Sequence, residues 1–382
     1  MAWGVLVGLL GAVPGVARRA YAQGADSGAF VTRLGRDTLA IERFVRSPDS
    51  LWGEMVSRAP RTGRSRYVAR LDRSGSVVAY TLTTSDGGHV SETLRNDTAT
   101  YTIAMTRAGH DTTMRGSVGL NQGGPTTRLI VPLFEPAYGL HEVLIARALA
   151  HPGTRVAFGW HFIGDGPDTG SVLMRKDSAW ITTPEDTIRL HIDGRGRILS
   201  ALNAGGTLQA TVTRIAWPDL DAQVAALTPL GTLSPRDTVR GTVGGAHVLV
   251  DYGRPTKRGR VIFGTVVAFN TIWRTGANAA TTFVTDRDLM LGTTPVPAGT
   301  YTLFSYVTPT GWLLVVSKKT GEWGTDYDPT ADLARIPMTV DRSAAPPVEQ
   351  FTISLWSDRM EMAWDTWKAT VPMKAAATTT GK

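Results

Sequence analysis

The sequence predicts a mostly β protein of two domains: an N-terminal curved antiparallel sheet or half-barrel with one helix, followed by a C-terminal β-sandwich. Three observations carry this. Short runs rich in Val, Ile, Thr and aromatic residues recur along the chain. Asp-Gly and Gly-Gly pairs punctuate them. A single longer stretch, Tyr138 to Ala150, has a Leu/Ala-rich helical composition. With 382 residues, 42% hydrophobic and 19% charged, the chain is globular in composition and long enough for two cores.

In chain order, residues 1–22 have the features of an export signal. Trp3 to Val16 is an apolar run too short to span a bilayer, and it leads to the small-x-small pattern Ala20-Tyr21-Ala22. No Lys or Arg precedes the run, and Arg18-Arg19 follows it, whereas a signal of this kind carries its positive charge first. The expected location is therefore periplasmic or extracellular. No later segment is apolar and long enough to span a membrane as a helix.

Residues 30–217 form the first β-rich domain. Asp72-Arg73-Ser74-Gly75, Asp86-Gly87-Gly88 and Asp193-Gly194 mark turns between alternating segments. The helix starts after Pro136 and stops at His151-Pro152-Gly153. Its apolar positions Leu140, Val143, Leu144 and Ala148 form a stripe expected to pack on the sheet. Residues 218–232 are the expected linker, with Ala222 to Leu227 as one or two helical turns. The second domain covers 233–373. Thr300 to Tyr306 alternates, placing Tyr301, Leu303 and Ser305 on one face and Thr302, Phe304 and Tyr306 on the other. Trp312 to Val316 is a continuous apolar run, as expected of a central strand. Phe351 to Leu355 and Met360 to Trp367 form a hairpin. Residues 374–382 are small and polar, as in a disordered tail.

The absence of cysteine excludes disulfides, thiol nucleophiles, thiolate metal sites and a lipidated cysteine. The net charge of +7 suits an acidic partner. The cations are interleaved with acids and accompany no nucleic-acid motif, so nucleic acid is not expected as a partner. No nucleophile elbow, zinc-protease, P-loop or dinucleotide fingerprint occurs. The acids Glu322, Asp326, Asp328 and Asp332 lack the spacing of a calcium loop. The sequence implies no metal, no cofactor and no identifiable catalytic set, and it leaves the oligomeric state open.

Two loops of the second domain stand out. Arg254-Pro255-Thr256-Lys257-Arg258-Gly259-Arg260 holds four cations in seven residues. Their repulsion, roughly 1 kcal/mol per close pair in water, would be relieved by a carboxylate or phosphate. It would equally be relieved by local acids such as Asp251, Glu322 or Asp326. In Trp273-Arg274-Thr275-Gly276-Ala277-Asn278, Arg274 and Asn278 offer donors, and Trp273 can either stack on a ligand or sit in the core.

These loops also carry a resemblance. Tyr252-Gly253-Arg254-Pro255, Arg258 to Gly264, Trp273 to Asn278, Ala280-Thr281-Thr282, Pro297 to Tyr301 and Trp323-Gly324 resemble, in order and spacing, the bacterial family called domain of unknown function 2911. The resemblance implies a secreted β-sandwich and no particular chemistry. The candidate ligand-binding residues are Tyr252, Arg254, Arg258, Arg260, Trp273, Arg274, Asn278 and Trp323. The expected function is recognition of an anionic small molecule or polymer. The alternatives are a hydrolase of cell-wall or extracellular polymer, which would need two carboxylates or a nucleophile and base in one cleft, and a lipid-carrying or assembly protein acting through the N-terminal half-barrel.

Overall fold

The structure is a computed structural model that describes residues 26–95, 100–117, 126–132, 136–161, 168–183, 186–204, 208–343 and 345–376. The expected signal segment and residues 377–382 of the expected tail lie outside the described residues.

The first domain opens with eight strands: β1 (Asp26–Leu34), β2 (Asp37–Arg46), β3 (Ser50–Ser57), β4 (Gly63–Leu71), β5 (Val77–Thr84), β6 (His89–Arg95), β7 (Thr100–Arg107) and β8 (His110–Ser117). β9 (Thr126–Pro132) leads into helix α1 (Tyr138–Ala148). A second run follows: β10 (Arg155–His161), β11 (Asp168–Arg175), β12 (Ser178–Thr182), β13 (Thr187–Ile192), β14 (Ile198–Asn203) and β15 (Thr211–Arg214). All fifteen strands form one sheet, in the order β8 to β1, then β15 back to β9. Every neighbouring pair is antiparallel except β9 and β10, which are parallel and joined through α1, the connection a parallel pair requires. The predicted turns at Asp72, Asp86 and Asp193 join β4 to β5, β5 to β6 and β13 to β14.

The alternation in the sequence becomes a two-faced sheet. In β4, Ser65, Tyr67 and Ala69 are buried while Arg66, Val68 and Arg70 are exposed. The sheet curves around α1, which touches β2, β3, β9 and β11. The helix is therefore enclosed on more sides than one apolar stripe predicts: nine of its eleven residues are buried, His141 and Glu142 among them. Leu140, Val143, Leu144 and Ile145 join Phe30, Phe44 and other sheet residues in one core that fills the concave face.

No side chain of its own caps the N-terminus of α1. Glu42 of β2 does so instead: its Oε2 accepts from the Tyr138 N–H at 2.7 Å and its Oε1 from the Gly139 N–H at 3.0 Å. The Tyr67 hydroxyl donates to the same carboxylate. At the other end, Arg147 binds the Ser74 carbonyl and the Ser76 hydroxyl, fixing the last turn to the β4–β5 connection.

Helix α2 (Leu220–Ala226) follows β15, with Asp219 accepting from the Asp221 and Ala222 N–H groups as its cap. Leu220 packs against Val31, Ile41 and Val56 on the other face of the sheet.

The second sheet contains β16 (Arg236–Val243), β17 (Ala246–Gly253), β18 (Thr271–Trp273), β19 (Thr281–Thr285), β20 (Leu289–Leu291) and β21 (Thr294–Val296). It continues with β22 (Gly299–Val307), β23 (Trp312–Ser317), β24 (Asp332–Asp341), β25 (Val348–Leu355), β26 (Arg359–Asp365) and β27 (Trp367–Ala375). The path β16-β17-β19-β22-β23-β24-β27-β20-β21, with β18, β25 and β26 attached, wraps into a sandwich that is nearly a barrel. As predicted, β23 is central and β25–β26 is a hairpin. β22 separates two clusters. Tyr301 and Leu303 face a large aromatic core, and Phe304 faces a small one with Val315 and Ala280. β27 runs to Ala375, two residues into the stretch read as a tail.

Candidate functional site

The basic loop leaves β17 and is almost fully engaged by protein groups. Arg254 donates from Nη1 to Asp237 Oδ2 at 3.0 Å, from Nη2 to Thr352 Oγ1 at 2.9 Å and from Nε to the Phe351 carbonyl at 3.2 Å. Lys257 pairs with Asp365. Arg258, 8% exposed, reaches into the other domain and donates from Nη1 to Asp37 Oδ2 at 2.6 Å. The acids suggested by proximity in sequence are not the partners: Asp251 is paired with Arg236, and the loop is held by residues distant in the chain. Asp328 and Asp332 likewise have local roles, in capping a turn and in binding Tyr327 and Arg335.

Arg260 points inward. Its guanidinium donates to the carbonyls of Thr256 at 2.7 Å, Leu208 at 2.8 Å and Lys257 at 3.1 Å. Burial, helped by the nearby Arg258 charge, pushes its pKa down to about 10. Arg274 donates to the Asn278 carbonyl at 3.3 Å and forms no ion pair with a carboxylate among the described residues. Burial alone lowers its pKa. Carbonyl dipoles solvate such a cation without neutralising it.

The loop carrying Arg274 is shaped by unusual backbone: Thr275 and Asn278 both have positive φ, 50° and 62°. The Thr275 hydroxyl is buried and hydrogen-bonded to Ser305 at 2.8 Å. The Trp323-Gly324 segment packs over this loop. A Cβ at Gly324 would collide with Arg274 and with the Asn278 carbonyl oxygen, so only glycine lets the segment lie there.

Arg260, Arg274, Asn278 and Trp323 meet at a cavity of about 620 Å³ between the domains. Its other wall comes from the first domain, where Leu34, Trp160, Ile181 and Ile188 give an apolar lining and His141 reaches the cavity from α1. The volume is in the range of small-molecule sites. Asp186 is the sole carboxylate among the described lining residues.

The other candidates stand behind this site and not in it. Trp273 is 4% exposed and belongs to the aromatic core, stacked on Trp364 at 5.9 Å with its Nε1–H donating to the Gly276 carbonyl. Tyr252 is also buried; its hydroxyl accepts from the Ile353 N–H at 2.9 Å. Arg254 and Arg258 serve the sandwich and the domain interface. The sequence reading did not identify the wall from the first domain, nor His141. The signal available was His141-Glu142, two adjacent polar residues set among the apolar positions of the helix.

Glu142 Oε1 accepts from the Ile198 N–H at 2.8 Å and from Arg214 at 2.7 Å, and burial is the main cause of its raised pKa. Glu42, fully enclosed, is raised to about 7 by burial in spite of its three donors.

Residues 234–373 match the family described as "Protein of unknown function (DUF2911)". The structure is similar to the crystal structure of a DUF1089 family protein from Pseudomonas aeruginosa, with 11% identity over 43% of this chain and 90% of that one and a TM-score of 0.32. No curated protein matches the chain.

Proposed function

We propose that this is an exported envelope protein that binds a small anionic molecule with an apolar portion in the cavity between its domains. One observation carries the reading. The Arg274 guanidinium lies in a partly dehydrated setting without a carboxylate partner among the described residues, on a cavity whose opposite wall carries Leu34, Trp160, Ile181 and Ile188 beside the polar Asp186, Asn203 and His141. A carboxylate or phosphate there would gain a charge-assisted hydrogen bond. The apolar part of the same molecule would cover Ile181, Ile188 and Leu34. Trp323, 49% exposed at the cavity, adds a ring that such a ligand would cover.

The test compares dodecanoate with dodecanol in isothermal titration and thermal-shift measurements on the wild type and on Arg274→Met. The expected result is tighter binding of the acid to the wild type and no preference in the variant. Equal binding of acid and alcohol by the wild type, or an unchanged preference in Arg274→Met, would sink the reading. Export is tested separately by N-terminal sequencing of protein secreted from a bacterial host, with cleavage expected after Ala22.

A further inference from the structure

His141 is 1% exposed and contributes to the inner wall of the cavity. Its Nδ1 lies 3.1 Å from the Ala137 carbonyl oxygen. A carbonyl can only accept, so Nδ1 carries the proton and Nε2 presents a lone pair. Nε2 is enclosed, with almost no accessible surface, and has no hydrogen-bond partner among the described residues, so a ligand donor reaches it where a neighbouring side chain of the cavity wall gives way. The hydrogen bond to Ala137 sets which way the ring faces, and stacking on Tyr138, with centroids 4.8 Å apart and planes within 20°, holds its plane, so turning the lone pair elsewhere would break that bond. An acceptor buried without a donor is costly, and a ligand donor would remove that cost.

We infer that His141 Nε2 is a recognition point for a hydroxyl of the ligand, so that the molecule accepted by the cavity is an anion that also carries a hydroxyl on its apolar portion. This rests on the proposed anion site at Arg274 and adds a second polar contact from the other domain. Burial holds the imidazole neutral, with its pKa lowered to about 4, so Nε2 remains an acceptor at neutral pH. An acceptor also discriminates by chemistry. An alcohol satisfies it, whereas a plain methylene leaves it unpaired, and sites of this kind reject the analogue that lacks the donor.

The experiment measures binding of dodecanoate and of its 2-, 3-, 10- and 12-hydroxy derivatives to the full chain and to His141→Phe, which retains the stack on Tyr138. The expected result is that at least one hydroxylated isomer binds the wild type roughly five- to tenfold tighter than dodecanoate. His141→Phe should bind all five alike. In ¹⁵N spectra of the histidine-labelled wild type, the unprotonated His141 nitrogen should move upfield with the preferred isomer and stay in place with dodecanoate. That reading applies even if the variant fails to fold. Dodecanoate binding with no gain from any hydroxyl, a gain that persists in His141→Phe, or a stationary nitrogen resonance overturns the inference and leaves the Arg274 site standing. Failure of every probe to bind the wild type overturns both.

Discussion

Arg258 of the second domain and Asp37 of the first are joined at 2.6 Å, with side-chain exposures of only 10% and 27%. The same joint is closed by backbone: the Arg36 N–H donates to the Arg258 carbonyl at 2.9 Å. A charged loop that suggests a ligand surface in the sequence is thus, at its centre, a fastening between domains. Removing one member of a shielded pair leaves the other uncompensated.

Arg258→Ala is expected to weaken the coupling between domains by about 2–4 kcal/mol. Calorimetry should show one unfolding transition of the wild type resolving into two. A double-mutant cycle with Asp37→Ala should give a coupling energy on the order of 1–3 kcal/mol. Additive effects with a single transition would count against the pair as a fastening.

Gly35 has φ of +60°, and a Cβ there would overlap the Arg258 carbonyl oxygen. Gly35→Ala should therefore cost about 2 kcal/mol or more. The effect should appear in the same calorimetric splitting as Arg258→Ala, because both substitutions open the same joint.

Glu42 satisfies two helix N–H groups and the Tyr67 hydroxyl in the closed interior of the first domain. Glu42→Ala strands all three donors and should lower stability by at least about 3 kcal/mol in urea titrations. Tyr67→Phe removes one donor and leaves the helix cap, so its cost should be about 1 kcal/mol.

Stability should depend on pH through opposing groups on or against α1, two carboxyls and one imidazole. The Glu42 pKa rises on folding from 4.5 to about 7, so its contribution is fully present below pH 4.5 and is lost as the pH rises to 7. Glu142 acts in the same direction. The His141 pKa falls from 6.5 to about 4, so its contribution is present above pH 6.5 and is lost as the pH falls to 4. Between about pH 4.5 and 6.5 the histidine offsets a carboxyl. In His141→Phe the decline with rising pH should become steeper by roughly 1.4 kcal/mol per pH unit. Urea unfolding at half-unit pH steps measures this; unchanged slopes would refute it.

Trp273→Ala should cost about 3–5 kcal/mol, as expected for an enclosed aromatic residue. Trp273→Phe should fold and retain the dodecanoate affinity of the wild type. A selective loss of binding in Trp273→Phe would instead place the indole in contact with the ligand.

The strands and their turns were legible because each leaves a local mark. Period-two burial in β4 and the Asp-Gly turn before β14 are properties of adjacent residues, and the unbroken apolar run of β23 announced a strand flanked on both sides. The far end of the first sheet was not legible. β9 joins β10 in parallel through α1, and long-range pairing has no neighbouring signature. Composition likewise could not separate the cations. Arg254, Arg258 and Arg274 look alike in sequence, yet Asp237 holds the first, Asp37 the second, and no carboxylate among the described residues the third. Trp273 beside a glycine-containing loop was equally ambiguous until the packing of Trp364 and Phe351 enclosed it.

The cavity has one wall from each domain, and this would make any molecule bound in it a keystone. Whatever free energy it gains from touching both sides must be supplied again to prise them apart. By reciprocity, a pull that spreads the halves, from a tether or a neighbouring surface, would release the cargo. Loading and mechanical cohesion are then two readings of one equilibrium.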